Sequence, residues 1–172
     1  MTSIIKVDQI QNAAGGVPTA ADLGLNVSGT VLQIQHAFYN VPAGGAYIST
    51  TSTTYLALSP LSVTITPKFA TSNLLLECFY HFDDESSTSN GLLTAFYRDG
   101  SNISTGGYSG SSFIYNSPAG DHYTQVVARK LIPANNTSAT TIVPYVRCWD
   151  PYSIRVMSHG GDCTMTVTEI AG

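Results

Sequence analysis

The sequence predicts an all-β protein: a jelly-roll-type two-sheet β-sandwich preceded by an extended N-terminal segment. Three observations carry this. Apolar and polar residues alternate with a period of two through most of residues 31–172, as half-buried strands require. Turn-forming residues punctuate the chain at short spacing, with no helical periodicity between them. The polar surface is built from hydroxyls and amides instead of charge. Charged residues are only 10% of the chain, against about 25% in ordinary soluble domains, while Ser and Thr number 39. Such side chains favour strands and turns over helix. With 43% hydrophobic residues the chain can bury a core, unlike a disordered chain.

The chain divides into residues 1–30 and 31–172. In the first part Ile4, Ile5, Val7 and Ile10 are apolar, then the run from Asn12 to Pro18 breaks regular structure. Residues 19–24 are expected to form one short helical turn. This part is too small for its own core, so its four apolar residues need another surface, as an anchor or a strap between subunits.

Strands follow in order from Thr30. Leu32, Ile34, His36 and Phe38 alternate with Gln33, Gln35 and Ala37. Residues 47–58 are Thr-rich and give one or two strands. Val63 and Ile65 alternate with Thr64 and Thr66. In residues 74–82, Leu74, Leu76, Cys78, Tyr80 and Phe82 share one face, and Leu75, Glu77, Phe79 and His81 the other. Both faces are largely apolar, which predicts burial on both sides, in a sandwich or at an interface. Asp83-Asp84-Glu85 opens a solvated loop. Residues 92–98 form a strand that Asp99-Gly100 turns tightly, since Gly tolerates positive φ. A Gly-rich loop precedes a strand at 113–115, and further strands cover 123–132, 140–149, 153–157 and 163–170. Pro144 suggests that the strand at 140–149 lies at an edge or carries a bulge. Eight to ten strands result, and an eight-stranded jelly roll fits them best.

Composition excludes several function classes. Seven basic residues, scattered except for Arg129-Lys130, make no phosphate-binding patch, so no nucleic-acid partner is expected. No apolar run reaches the about 20 residues of a membrane-spanning helix. The first residues lack a signal-peptide pattern, so delivery outside a cell would be by lysis or assembly. Cys78, Cys148 and Cys163 form no CxxC pair. Buried thiols are expected, against a bridge or a metal. Asp83-Asp84-Glu85 lacks the alternate spacing of a Ca²⁺ loop. His36, His81, His122 and His159 show no metal spacing, although one facing inward could meet its copies on a symmetry axis. Ser109 lacks the context of a nucleophile elbow. Glu77, Asp99, Asp121 and Asp150 are scattered and suit turns or strand ends better than paired-carboxylate hydrolysis. No enzyme activity, cofactor or metal is expected. Tyr108, Tyr115, Trp149 and Tyr152 lie in or beside loops, where rings can stack on sugars and contact a host surface. Trp149 can equally anchor a core or an interface. The Asn-x-Ser/Thr patterns at Asn26, Asn102, Asn135 and Asn136 follow from composition.

Specific motifs add a resemblance. Residues 3–11, Ala14-Gly15-Gly16 and Gly29-Thr30-Val31-Leu32-Gln33 resemble a segment of virion proteins of tailed bacteriophages, especially phages of marine bacteria and cyanobacteria. The Thr-rich stretch 50–54, Leu-Ser-Val-Thr-Ile-Thr-Pro at 61–67, residues 72–76 and the closing run 165–170 are similar to that family's C-terminal jelly-roll domain, itself similar to tumour-necrosis-factor and C1q heads. The resemblance implies a homotrimer in a tail fibre or capsid fibre, docked on other virion proteins and often touching the host surface. The chain lacks the repetitive shaft of a long fibre, which points to a short spike, a tip or adaptor, or a head decoration. A trimer also has a physical motive, because closed symmetry covers an apolar outer face without open-ended growth. Tyr80, Phe82, Phe96 and Tyr97 are expected to sit partly in the core and partly at that contact. A lectin-like module gripping a bacterial surface glycan is the alternative.

Overall fold

The computed structural model describes residues 16, 28–44, 46–84, 90–104, 112–116, 122–158 and 160–172. They form β1 (Val31–Val41), β2 (Ala46–Thr50), β3 (Leu56–Ala57), a 3-10 turn (Ser59–Leu61), β4 (Val63–Ile65), β5 (Asn73–Asp84), β6 (Asn90–Arg98), β7 (Ser101–Asn102), β8 (Ser112–Asn116), β9 (His122–Pro133), β10 (Thr140–Cys148), β11 (Ile154–Ser158) and β12 (Gly161–Ile170). The expected short turn at 19–24 and the N-terminal residues Ile4, Ile5, Val7 and Ile10 lie outside the described residues.

Twelve strands occupy eight positions, because several are one strand interrupted. β1 and β2 share a position, as do β3 and β4, β7 and β8, and β11 and β12. The first sheet then runs β1/β2, β11/β12, β5, β9, and the second β3/β4, β10, β6, β7/β8. In chain order the positions read 1-8-3-6 and 2-7-4-5, all antiparallel. This is the jelly-roll arrangement, in which every step along the chain crosses between sheets except the one from position 4 to 5.

The core lies between the sheets and follows the alternation. Leu74, Leu76, Cys78, Tyr80 and Phe82 of β5 are buried, and meet Leu92 and Phe96 of β6, Ile142, Val146 and Cys148 of β10, and Cys163, Met165 and Val167 of β12. Tyr80 and Thr94 share a hydrogen bond through their hydroxyls, joining the two sheets across the core. Tyr80, Phe82 and Phe96 are therefore wholly interior, not shared with a subunit contact, since their strand phase turns them inward. All three cysteines are buried free thiols. Burial pushes the Cys78 thiol, with Cys163 beside it, well above its ordinary range.

Asp99 and Gly100 form the expected tight turn, with φ of 50° and 80°. The Asp99 carboxylate accepts from the Thr140 hydroxyl and the Thr141 N–H. Two expectations change. β10 is interior, between β6 and β3/β4, so Pro144 is not at an edge. The proline is tolerated because a residue's N–H and C=O point to the same side of a strand. Its C=O accepts from Leu58 N–H, so its missing donor faces the gap between β3 and β4 where the 3-10 turn sits. Asp83 is not in a solvated loop. It lies one residue from the end of β5, fully buried, and its Oδ2 takes two bonds from Arg155 of β11, at 2.9 Å from Nε and 2.8 Å from Nη2. Asp84 is also in β5, and Glu85 lies outside the described residues.

Glu169 fixes the corner between β4 and β5. Its buried carboxylate accepts from Ser72 Oγ and Gln33 Nε2, both at 2.6 Å, and from the backbone N–H of Lys68 and Phe69. Burial alone would raise its pKa. The donors outweigh burial and hold it below the ordinary 4.5.

Candidate functional site

The sandwich has two outer faces of different chemistry. On the first sheet, cross-strand register builds three rows. Ile34, Thr168, Leu75 and Leu131 form one; His36, Thr166, Glu77 and Arg129 the next; Phe38, Thr164, Phe79 and Val127 the third. Two apolar rows thus flank a polar one, in which Arg129 and Glu77 pair at 2.9 Å. Ile34, Phe38, Val127 and Leu131 are each 54–59% exposed. β1 shows most clearly what this means. Its greasy phase, Ile34 and Phe38, points away from the core, while Gln33, Ala37 and Tyr39 of the other phase are more covered. The double-sided apolar pattern in β5 belongs to the same arrangement: one face is core, and Leu75, Glu77, Phe79 and His81 are half-buried on the open face.

The second sheet carries an aromatic layer. Tyr145, Arg147 and Trp149 occupy alternate positions along and just beyond β10, so they share its outer face. Tyr97 stacks on Tyr145 with ring centroids 3.9 Å apart, and Tyr55 meets Tyr97 edge-on. The Arg147 guanidinium lies 5.4 Å from the Tyr55 ring and 6.0 Å from the Trp149 ring, within cation–π range. Phe113 continues the layer, 5.4 Å from Trp149 and 6.1 Å from Tyr115. Beneath these rings lie Gly91, Leu93 and Ala95 of β6, all buried although they face outward. Gly91 has to be small. A Cβ there would stand 2.8 Å from the Ile114 carbonyl and 3.2 Å from Trp149 Cβ. Burial pushes the Tyr97 phenol up and Tyr55 adds to it, so this ring stays neutral.

Of the four aromatic residues expected at a binding face, the structure brings Trp149 and Tyr115 together through Phe113. Tyr152 lies just beyond Trp149 and is exposed; its C=O accepts from the Cys148 thiol. Tyr108 lies outside the described residues. Sequence reading missed Tyr55, Tyr97, Tyr145, Arg147 and Phe113 as parts of one surface. The available signal was the period-two spacing of Tyr145, Arg147 and Trp149, which places them on one side of a strand. Of the histidines, His36 and His81 lie on the open face of the first sheet. His81 meets Phe79 edge-on at 5.6 Å.

The class these features define is a jelly-roll β-sandwich with one open apolar face and one self-covered aromatic face. No family model matches the chain, and no curated protein matches it. Among solved structures it is similar to a chain of the T13 viral particle of infectious bursal disease virus, at 12% identity and a TM-score of 0.42, over 83% of this chain and 37% of that one. It is also similar to a chain of the Gx strain of that virus, at 16% identity and a TM-score of 0.35, over 80% and 38%. This chain thus spans under two-fifths of either neighbour. At this identity and these TM-scores, function rests on the residues of this chain itself.

Proposed function

We propose that this chain is a structural, non-enzymatic component of a tailed-bacteriophage particle, a piece of a tail or capsid fibre, a spike or a head decoration. It works as a homotrimer whose subunits meet through the open face of the first sheet. The observation that carries the assembly is that face: four large apolar side chains more than half exposed in two parallel rows, carried by β1 and β9, the two edge strands of the sheet. Contiguous apolar surface of this kind marks association, and closed rotation about three copies hides it in every copy equally. The particle role is supported by the resemblance of residues 3–11, 29–33, 61–67 and 165–170 to phage virion proteins, together with the jelly-roll strand order. Ile4, Ile5, Val7 and Ile10 serve as the anchor to other virion proteins. Light scattering of the full chain tests the assembly. A mass three times the 18.2 kDa chain is expected, and 18.2 kDa at micromolar concentration overturns it. Mass spectrometry of purified particles tests the location.

A second reading, contact with a host surface glycan, is favoured by the aromatic layer of the second sheet. Phe113 and Tyr115 offer exposed ring faces beside Trp149 and Arg147, the combination that holds sugar rings by stacking. Adsorption to host cells that survives Tyr115→Ala counts against that surface.

A further inference from the structure

We propose that a cleft at the interruption between β11 and β12 is a binding site for a single neutral sugar residue, separate from the aromatic layer. The cleft is complete within one chain and rests on neither reading above. Its volume is about 480 Å³, and His81, Phe82, Tyr123, Gln125, Ser158 and Gly160 line it. It lies at one end of the open face, where the His81–Gln125 pair follows the Phe79–Val127 pair.

Backbone geometry makes the cleft. Between Val156, opposite Phe82, and Thr164, opposite Phe79, β11/β12 carries far more residues than β5 can pair. The excess is absorbed by Met157, Gly160 and Gly161, with φ of 55°, 68° and 145°. Left-handed backbone is natural for the glycines and strained for Met157, and strain of this kind clusters at functional sites. At this kink the neighbours Val156, Met157 and Ser158 are all buried. Ser158 is 1% exposed and lines the cleft, and its Oγ finds no hydrogen-bond partner among the described residues. A buried hydroxyl left this way is costly, and a ligand hydroxyl entering the cleft would satisfy it.

The remaining lining selects the ligand. Among the described residues no Lys, Arg, Asp or Glu faces the cleft, so neither an anion nor a divalent cation is favoured. Nearby Asp83 is already tied to Arg155. What remains is the phenol of Tyr123, the amide of Gln125, the imidazole of His81 and the Ser158 hydroxyl. His81 is held in place: its ring packs edge-on to Phe79 and sits so close to Gly161 that a Cβ there would stand 2.7 Å from Nε2. Tyr123 is 59% exposed at the rim, where its ring can lie along a sugar ring. Neutral donors and acceptors beside an exposed phenol ring recognise a polyhydroxylated ring.

The test uses the full chain labelled with ¹⁵N, titrated with methyl glycosides of glucose, galactose, mannose, rhamnose and N-acetylglucosamine. At least one should shift the amide signals of residues 81, 123–125 and 158. Ser158→Ala should weaken that glycoside about tenfold, the loss of one hydrogen bond. It should leave the melting temperature unchanged or raised, because it removes an unpartnered buried group. Gln125→Ala, on the exposed strand, should also weaken binding without unfolding. No shift with any glycoside overturns the proposal and leaves Ser158 to water. So does binding unchanged by Ser158→Ala and Gln125→Ala but lost in Tyr115→Ala, which puts the sugar on the aromatic layer. Shifts at these amides from inorganic phosphate or Ca²⁺ alone overturn the choice of a neutral ligand.

Discussion

The two outer faces of this sandwich solve the same problem in opposite ways. Each sheet carries apolar residues on the side away from the core. On the second sheet the chain covers them itself: Tyr145, Arg147, Trp149 and Phe113 close over Gly91, Leu93 and Ala95, and Leu93 has no exposed surface. On the first sheet nothing among the described residues reaches over Ile34, Phe38, Val127 and Leu131. The threonines between them on β12 are too short to do so. Large flat rings beside small residues can fold down and shield their neighbours. On the first sheet Ile34, Phe38, Val127 and Leu131 stand in rows separated by threonines, and their surface is left for another molecule. The comparison teaches that outward apolar residues mark an interface only where the chain's own side chains fail to cover them.

The largest effect that could break this contrast is on assembly. Phe38→Glu combined with Val127→Glu places carboxylates in an exposed apolar row, so each chain should keep its β-rich circular dichroism while the mass falls to that of a single chain. An unchanged mass means the open face is not the contact. Next, Leu93→Ala should cost about 2–5 kcal/mol in urea unfolding, as for an interior residue, although it lies outside the sandwich core. A cost under about 0.5 kcal/mol, ordinary for a surface site, would show that the aromatic layer does not pack. Gly91→Ala should cost about 1–3 kcal/mol by lifting Phe113 and Trp149 off β6, and its tryptophan fluorescence should shift accordingly.

The corner behind both faces has its own signature. The folded pKa of Glu169 is depressed, so its contribution to stability is fully present above about 4.5, the unfolded value, and disappears as pH falls through the lower folded value. Glu169→Gln should flatten that acid limb and cost about 1–3 kcal/mol at neutral pH through its mismatched donors. Melting curves that lose stability on acidification as steeply as the parent's would assign the limb to other carboxylates. The smallest effect is expected at Tyr115. Tyr115→Ala should stay within about 0.5 kcal/mol of the parent, so any loss of host adsorption reports on binding and not on folding.

Much of the fold could be read from alternation. The inward phase of β5, the Asp99-Gly100 turn and the closing strand at 163–170 stand where period two and turn chemistry put them. Two readings failed, and one feature went unread, for reasons that lie outside local sequence. Asp83 looked solvated because it opens an acidic run, yet Arg155, 72 residues away, waits for it on the neighbouring strand. Pro144 looked like an edge or bulge residue because the gap between β3 and β4 has no local signature. The Ser158 cleft left no pattern at all, since it arises from unequal strand lengths meeting across a sheet.

By itself the sequence determined which segments are strands and which of their two faces is greasier, because a strand's side-chain period is fixed at two whatever its partners. Only the tertiary structure decided which greasy face became core and which stayed outside. That choice depends on what each strand is laid against, and Ile34 and Phe38 would have been interior had β1 been turned over. The covering of Leu93, the buried pair of Asp83 with Arg155 and the unpartnered Ser158 hydroxyl share that origin, in contacts between residues that no local pattern connects.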